Sequence, residues 1–311
     1  MVLALALIPV IGLLAFIYFN DKKEKEPLGF LIGLFFLGMG TIITAVIAEV
    51  IGELIVNSII PKDTVLNQVI VAILIVGTAE ELGKYLVLRI FTWRSKHFDY
   101  SYDAIVYAVF VSLGFAALEN ITYVFSNGVG TAIARMFTAV PGHACFAVFM
   151  GFFYSKAKYA AITKNKSSYK ANNFLAIIVP ILIHGIYDAI LMGARVSDAE
   201  LGAGLALIIW ILLVIALFVV SCIIIVKSSK NDFCIVTLPE KVKTVYRPKI
   251  VGNWTCTCGS VNRLNFCPKC GNQRPIGTIW YCANCGTPSG LNFCGNCGSP
   301  RPAFKTPEQG V

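Results

Sequence analysis

The chain has 311 residues, of which 57% are hydrophobic and only 14% are charged, and its mean hydropathy is +0.73. Soluble domains carry about 25% charged residues, so this composition excludes an ordinary soluble enzyme and a disordered scaffold. The net charge of +9 is concentrated after residue 226, and eight of the 11 cysteines lie between Cys256 and Cys297. The composition therefore indicates an apolar, almost neutral body followed by a basic, cysteine-rich tail.

Several apolar segments are long enough to cross a lipid bilayer, which takes about 17–25 predominantly apolar residues as a helix. The predicted spans are residues 2–19, 28–56, 65–92, 102–126, 131–154, 172–193 and 201–226. The first has its basic residues (Lys22, Lys23 and Lys25) after the apolar run, so it is predicted to be a retained span and not a signal peptide. The sequence predicts an all-α polytopic membrane protein of about seven transmembrane helices with a small C-terminal zinc-ribbon region.

The distribution of Lys and Arg between the loops predicts the orientation in the membrane. With the N-terminus outside, the cytoplasmic loops before the tail carry ten of these residues, and the outer loops carry two, Lys62 and Arg195. We therefore expect a multi-pass protein of the cell membrane, with its N-terminus outside and its tail in the cytoplasm.

Ionisable residues recur within four successive predicted spans. Each costs at least about 2.5–3.5 kcal/mol at the centre of a bilayer, so a set of them calls for a functional reason. Residues one helical turn apart share a face, and facing helices can bring such residues to one cavity. The candidate catalytic residues are Glu80, Glu81, Lys84, Glu119, His143, His184 and Asp188. The alternative is a set of structural hydrogen bonds and ion pairs between helices.

Three further acidic residues are given structural roles. Glu49 and Glu53 in the second span lack a matching partner pattern, so we expect them to make buried or interfacial helix contacts. Asp103 begins the fourth span, where the positive end of the helix dipole favours a carboxylate.

The motifs on these four spans resemble, in their order, those of the PrsW family of intramembrane proteases. They are Glu80-Glu81-x-x-Lys84, Gly-Phe-Ala-Ala-Leu-Glu119-Asn120-Ile-x-Tyr123, Pro141-Gly142-His143 and His184-Gly-x-Tyr-Asp188. The resemblance covers about residues 1–226 and extends distantly to the CAAX prenyl proteases. It implies that the active-site residues are Glu80, Glu81, Glu119, His143 and His184, accompanied by Asp188. It also implies a single-pass membrane protein as substrate, by analogy an anti-sigma factor or a similar regulator.

Peptide hydrolysis needs an activated water, stabilisation of the oxyanion and a proton for the leaving amine. We expect Glu81 or Glu80 to be the general base and Lys84 to balance the charge of that helix. His143 and His184 are expected to polarise the carbonyl or to deliver the proton.

The roles of the remaining candidates depend on whether a metal takes part. Asp188 is expected to orient an imidazole, and Glu119 to position the water or to bind a metal. Two histidines with carboxylates can hold Zn²⁺ with an open position. The chain has no H-E-x-x-H motif, however, and the related CAAX-type enzymes are usually described as glutamate-dependent. We favour glutamate catalysis without a metal and leave a catalytic metal open.

Two other function classes also place charges inside a membrane. Intramembrane Glu, Lys and His mark proton paths in ion-coupled transporters, but residues 1–226 show none of the repeated halves common in transporters. A non-catalytic receptor that presents the tail is the other alternative. The intact Glu-Glu-x-x-Lys motif and both histidines argue against it.

The cysteines of the tail form two similar units. The first contains Cys256, Cys258, Cys267 and Cys270, and the second contains Cys282, Cys285, Cys294 and Cys297. Four thiolates at such spacings match structural zinc, and the predicted cytoplasmic side disfavours disulfides. We expect two tandem four-cysteine zinc ribbons over residues 251–303, with one Zn²⁺ each, between a polar linker (227–250) and a tail (304–311).

The function of the ribbons is expected to be contact with a cytosolic protein. Basic residues such as Arg263 and Arg301 are compatible with nucleic-acid binding or with an anionic membrane surface. No stripe of stacking aromatic residues accompanies them, so nucleic acid is not the expected partner. The body is expected to contact the lipid bilayer.

Overall fold

The computed structural model describes residues 2–196 and 200–235, and from the C-terminal region residues 254–262, 269–270, 272, 280–282, 284–289, 296 and 299. Three predicted metal ligands, Cys267, Cys294 and Cys297, lie outside the described residues. The chain divides into two compact units, Met1–Glu240 and Lys241–Val311, and each is described by itself.

The first unit is helical. Its helices are α1 (Val2–Asn20), α2 (Leu28–Ile59), α3 (Val65–Ile70), α4 (Thr78–Thr92), α5 (Asp103–Asn127), α6 (Val129–Phe137), α7 (Ala139–Ile162), α8 (Lys166–Arg195) and α9 (Glu200–Lys230). A π-helical segment, Val71–Gly77, joins α3 to α4.

Seven stretches of the described helices are long and apolar enough to cross a membrane. They are Leu3–Asn20, Leu28–Ile59, Val65–Thr92, Asp103–Asn127, Val129–Ile162, Lys166–Arg195 and Gly202–Lys230. One of them combines α3, the π-helical segment and α4, and another combines α6 and α7. The prediction of an all-α polytopic membrane protein with seven spans is confirmed.

The spans alternate in direction, so the bundle has two ends. The N-terminal end holds the start of α1 and the C-termini of α2 and α8. At the opposite end the α4–α5 connection meets the residues that follow α9. There the Asp232 carboxylate accepts hydrogen bonds from the Ser101 hydroxyl (2.7 Å) and the Tyr102 N–H (2.8 Å), and the Ser101 N–H donates to the Phe233 carbonyl (3.0 Å).

Helix α5 is the central helix of the bundle: its span is 83% buried, against 17–56% for the others. Two glycines allow α2 to pack directly on its backbone. A Cβ on Gly114 would lie 1.9 Å from the Phe35 carbonyl oxygen, and one on Gly38 would lie 1.9 Å from that of Val111. Small residues at such crossings are typical of membrane helices, which associate by close packing because lipid is already apolar. This contact sets the position of α5 and so of Glu119.

Carboxylates are buried at the opposite end of the bundle. Asp103 is fully buried, and its Oδ2 accepts hydrogen bonds from the N–H groups of Asp99 (3.1 Å) and Tyr100 (2.7 Å). Its side chain therefore binds the loop before α5, which the expected dipole role did not include. Outside the spans, burial raises the pKa of Glu26 to about 7. Burial also raises the pKa of Asp21 to about 6, although the charge of Lys25 acts in the opposite direction.

The second unit repeats one small hairpin. The antiparallel strand pairs are β1 (Trp254–Thr255) with β2 (Val261–Asn262), and β3 (Trp280–Tyr281) with β4 (Pro288–Ser289). In each turn a glycine N–H donates to a cysteine carbonyl: Gly259 to Cys256 and Gly286 to Cys282, both at 2.8 Å. Both glycines have positive φ, 82° and 68°, which other residues rarely adopt. The internal repeat of the cysteine pattern thus corresponds to a repeated local structure.

The contact between α2 and α5 can be tested with two glycines of α2. Gly38→Ala places a methyl group against the Val111 carbonyl and should destabilise the protein by roughly 1–3 kcal/mol or more, as overpacking does. Gly40→Ala, where a Cβ meets nothing within 4 Å, is the matched control. Thermal unfolding in detergent measures both, and equal unfolding temperatures for the two variants would contradict the packing described.

Candidate active site

The π-helical segment directly precedes the two glutamates of α4 and packs against α8. A Cβ on Gly185 would lie 2.6 Å from the Ile73 Cα, and one on Gly77 would lie 3.0 Å from the Ile181 carbonyl oxygen. Two glycines thus let the backbones of the π-helical segment and α8 nearly touch. Short π-helical stretches are frequent at functional sites. Here the close contact brings His184, the neighbour of Gly185, beside Glu81.

Lys84 lies at the centre of the buried charges and is fully buried itself. Its ammonium is 3.0 Å from Glu80 Oε2, 2.7 Å from Glu81 Oε1 and 3.2 Å from His143 Nδ1. An ammonium has three protons and accepts none, so each of these contacts uses one of them. The ring of Phe115 lies 4.0 Å from the same nitrogen. Lys84 therefore joins α4 to α7 and neutralises charge on α4.

The protonation of His143 follows from its two neighbours. Because Lys84 can only donate, Nδ1 of His143 accepts, and the ring proton is on Nε2. That nitrogen lies 2.8 Å from Glu119 Oε2, to which it donates. Glu119 also forms an ion pair with Arg135 (2.8 Å), whose Nε donates to Asn120 Oδ1 (2.9 Å). Helices α5, α6 and α7 are thus connected by one charged network.

His184 contacts a carboxylate with each of its ring nitrogens. Nδ1 is 2.9 Å from Glu81 Oε1, and Nε2 is 3.3 Å from Asp188 Oδ2. Carboxylates only accept, so this arrangement suits a ring that is protonated on both nitrogens. The ring stacks on Phe146 at 4.6 Å and lies 5.3 Å from the ring of His143.

A cavity of about 880 Å³ adjoins this network. Its polar lining includes Glu80, Glu119, Arg135, His143, His184 and Asp188. Glu81 and Lys84 are not part of the lining and lie behind it. The structure therefore brings all seven candidate residues into one cluster and divides them between those that face the cavity and those that support them.

The cavity reaches from mid-bundle to the N-terminal end. Glu53 and Arg195, near the ends of α2 and α8, both line it. Glu49 also lines it, so both acidic residues of α2 face a polar cavity, Glu49 half-buried and Glu53 exposed.

Two residues of the site were absent from the candidate set. Arg135 lies on the short helix α6. It is the one cation in an apolar segment, and this was the feature of the sequence that could have identified it. Phe115 forms one side of the Lys84 pocket. Its position one helical turn before Glu119 is compatible with ordinary core packing, so nothing in the sequence marked it.

A family model described as "PrsW family intramembrane metalloprotease" matches residues 26–222. The chain belongs to the PrsW family. The predicted protease is therefore confirmed: the protein is a multi-pass membrane peptidase, and the family match does not support the transporter and receptor alternatives. The cysteine-rich tail lies outside the matched region.

Several relatives named Protease PrsW are similar to the chain. That of Geobacillus kaustophilus is 37% identical over 184 residues, which is 59% of this chain and 76% of the relative. That of Bacillus subtilis is 36% identical over 191 residues (61% and 82%), and that of Clostridioides difficile is 33% identical over 196 residues (60% and 78%). No solved structure gives a significant match.

The family description implies a metal, and the described arrangement does not fit one. Glu80, Glu81, His143 and His184 each place one donor atom within 4.8 Å of the others. However, the Lys84 ammonium already contacts three of these four residues. His143 has its lone pair directed at Lys84, and both nitrogens of His184 face carboxylates. A metal ligand needs a free lone pair, so the two histidines are not arranged as ligands.

In the second unit, three cysteines are arranged as metal ligands. The sulfur atoms of Cys256, Cys258 and Cys270 lie within 4.8 Å of one another, with 3.4 Å between those of Cys256 and Cys270. Such a group can bind one metal ion. Of the other predicted set, Cys282 and Cys285 are described, whereas Cys294 and Cys297 lie outside the described residues.

Lys84 can be tested as the residue that balances the buried carboxylates. Lys84→Met removes the ammonium that pairs with both Glu80 and Glu81 and should lower the free energy of unfolding by about 3–5 kcal/mol, as expected when one partner of a buried ion pair is removed. Adding Glu81→Gln should recover part of the loss. Chemical denaturation in detergent measures the free energy of unfolding, and Lys170→Met, at an exposed position, is the control. A Lys84→Met variant as stable as the control would contradict this role.

Proposed function

We propose that the side chains lining the cavity catalyse hydrolysis of a peptide bond in a membrane-anchored protein and that Glu80 activates the attacking water. The observation that carries this proposal is the placement of Glu80, which lines the cavity while its Oε2 is held by Lys84. Glu81 makes two hydrogen bonds behind the cavity wall, so it holds Lys84 and His184 in position. The sequence left Glu80 and Glu81 as alternative general bases, and we propose Glu80.

His184 is the proposed source of the proton for the leaving amine. It lines the cavity, and its contacts with Glu81 and Asp188 suit a ring with a proton on each nitrogen. A doubly protonated imidazole can also stabilise negative charge that develops on the carbonyl oxygen. Asp188 orients this ring.

His143 and Glu119, which also line the cavity, form the proposed water-positioning pair. Lys84 sets the His143 tautomer, and Arg135 holds Glu119. Because both histidines already have hydrogen-bond partners, we propose that the reaction proceeds without a catalytic metal.

The orientation predicted by the loop charges gives the proposed side of cleavage. If the N-terminus is outside, the cavity extends towards the outer surface, where Glu53 and Arg195 lie. A single-pass membrane protein would then be cut in the outer half of its span or next to it. By analogy with the family, an anti-sigma factor or a similar regulator is the proposed substrate.

The tail is proposed to hold two structural Zn²⁺ ions, one in each four-cysteine ribbon. The cluster of Cys256, Cys258 and Cys270 supports the first site, and the repeated hairpin supports a second of the same kind. Such small units have little core of their own, so metal binding would supply most of their folding free energy. A cytosolic protein is the proposed partner, and nucleic acid is not.

The substrate can be found by comparing membrane proteomes of cells that carry wild-type protein, Glu81→Gln or His143→Ala. We expect both variants to remain folded in the membrane and to cause the accumulation of a full-length single-pass protein, because each disrupts the positioning of the reacting groups. Mass spectrometry of membrane fractions should detect a shortened form of that protein in wild-type cells.

Glu53→Gln is the control for this comparison, since it removes a cavity carboxylate outside the Lys84 network. Its proteome should match that of wild-type cells. Identical proteomes in all four strains, with the envelope under stress as well as at rest, would argue against the proposed proteolysis.

Metal analysis of the purified full-length protein tests both metal proposals. We expect two zinc ions per chain in the wild type, one in Cys270→Ser, and two in the double variant His143→Ala/His184→Ala. Cys234→Ser, which changes a cysteine outside the ribbon pattern, should also retain two. The loss of one ion in the double histidine variant would show that the membrane site binds metal.

A further inference from the structure

Five carboxylates gather at the end of the bundle opposite the candidate active-site cavity. They belong to Asp21 and Glu26 in the α1–α2 connection, Asp99 and Asp103 at the start of α5, and Asp232 after α9. One oxygen from each of Glu26, Asp99 and Asp103 lies within 4.8 Å of the others. We call these three the acidic triad. Asp103 and Glu119 are 16 residues apart on α5, or about 24 Å at 1.5 Å per residue, so the triad is separate from the catalytic cluster.

Several oxygens of this group are buried without a hydrogen-bond partner among the described residues. They are both carboxylate oxygens of Asp21, Oε2 of Glu26, Oδ1 of Asp103 and Oδ2 of Asp232. Asp103 is 0% exposed, Asp21 1% and Glu26 4%. Leaving a buried charged acceptor without a partner is costly, and native structures seldom do so without a bound water or ion.

No nearby cation accounts for the charge of the triad. Among the described residues, no Lys or Arg forms an ion pair within 4.0 Å of any of the five carboxylates. Lys25 directly precedes Glu26 and its charge acts on Asp21, but its ammonium donates to the backbone carbonyls of Tyr18 and Asp21. This contrasts with the catalytic cluster, where Lys84 and Arg135 balance the carboxylates.

The chemistry of the triad selects a class of ligand. All of its donors are carboxylate oxygens, which suit hard divalent cations and not zinc or copper. Three oxygen atoms within 4.8 Å of one another lie at most about 2.8 Å from a common point, close to the 2.3–2.6 Å at which Ca²⁺ binds oxygen. We propose that Glu26, Asp99 and Asp103 bind one Mg²⁺ or Ca²⁺ ion, with the buried carboxylates of Asp21 and Asp232 adding to its electrostatic attraction.

Such an ion would connect parts of the chain that are distant in sequence. Glu26 precedes α2, and Asp99 and Asp103 flank the start of α5, the central helix. Asp232 already fastens the end of α9 to the same loop through Ser101 and Tyr102. The ion would fix the start of α5 against α2 and would act on the fold and not on the reacting atoms. This inference does not rest on the proposed catalytic mechanism.

Terbium luminescence can test the site in the purified full-length protein in detergent. Tb³⁺ replaces Ca²⁺ at oxygen sites and emits when a nearby tyrosine is excited. Tyr107, whose hydroxyl donates to the His97 carbonyl (2.8 Å), lies one helical turn after Asp103 on α5. We expect saturable binding of one ion, with displacement by Ca²⁺ or by Mg²⁺ showing which of the two is preferred. Glu26→Gln and Asp103→Asn should weaken the terbium affinity at least tenfold.

Two control variants separate this site from other carboxylates. Glu24→Gln removes an exposed carboxylate two residues from Glu26, and Glu119→Gln removes one from the catalytic cluster. Both should bind terbium within twofold of the wild type. If Asp103→Asn does not fold, Asp99→Asn, at the half-buried position of the triad, is measured in its place. The proposal is overturned if wild-type protein shows no saturable signal, if the triad variants bind as well as the wild type, or if Glu119→Gln abolishes the signal.

Discussion

The buried ammonium of Lys84 is the interaction on which the arrangement of the site depends. Its three protons contact two carboxylates of α4 and one imidazole of α7. Inside a bilayer an unpaired charge is costly, so these groups hold one another in a single geometry. From this contact follow the tautomer of His143, its hydrogen bond to Glu119, and the division of labour between Glu80 at the cavity and Glu81 behind it.

Close backbone packing makes this charged network feasible. Helices in lipid gain little from apolar contact alone, so small residues decide where they cross. Gly38 and Gly114 bring α2 onto α5, and Gly185 brings α8 onto the π-helical segment before α4. These contacts place side chains from four helices within hydrogen-bond distance of one another. Packing and electrostatics are therefore complementary: the glycines set the helix positions, and the ion pairs occupy the space between them.

Much of this could be predicted from the sequence, because membrane helices carry a strong local signal. Long apolar runs identified the seven spans, and the cost of charge in lipid singled out the buried residues around Lys84. Other features depend on tertiary neighbours. Glu80 and Glu81 are adjacent in the chain, but which of them faces the cavity follows from the packing of α4 against α7 and α8. Asp103 was assigned to its own helix dipole, whereas its carboxylate binds the preceding loop beside Glu26, which is 77 residues earlier in the chain.

The most direct test of the account is the cleavage rate of purified Glu80→Gln protein, measured on the membrane-anchored substrate once that protein is known. Gln keeps the size of Glu and leaves Lys84 paired with Glu81, so the unfolding temperature should stay within a few degrees of the wild type. We expect the rate to fall by about 10²–10⁴-fold, the range expected for loss of a general base. A folded Glu80→Gln variant that cleaves within tenfold of the wild type would contradict Glu80 as the residue that activates water.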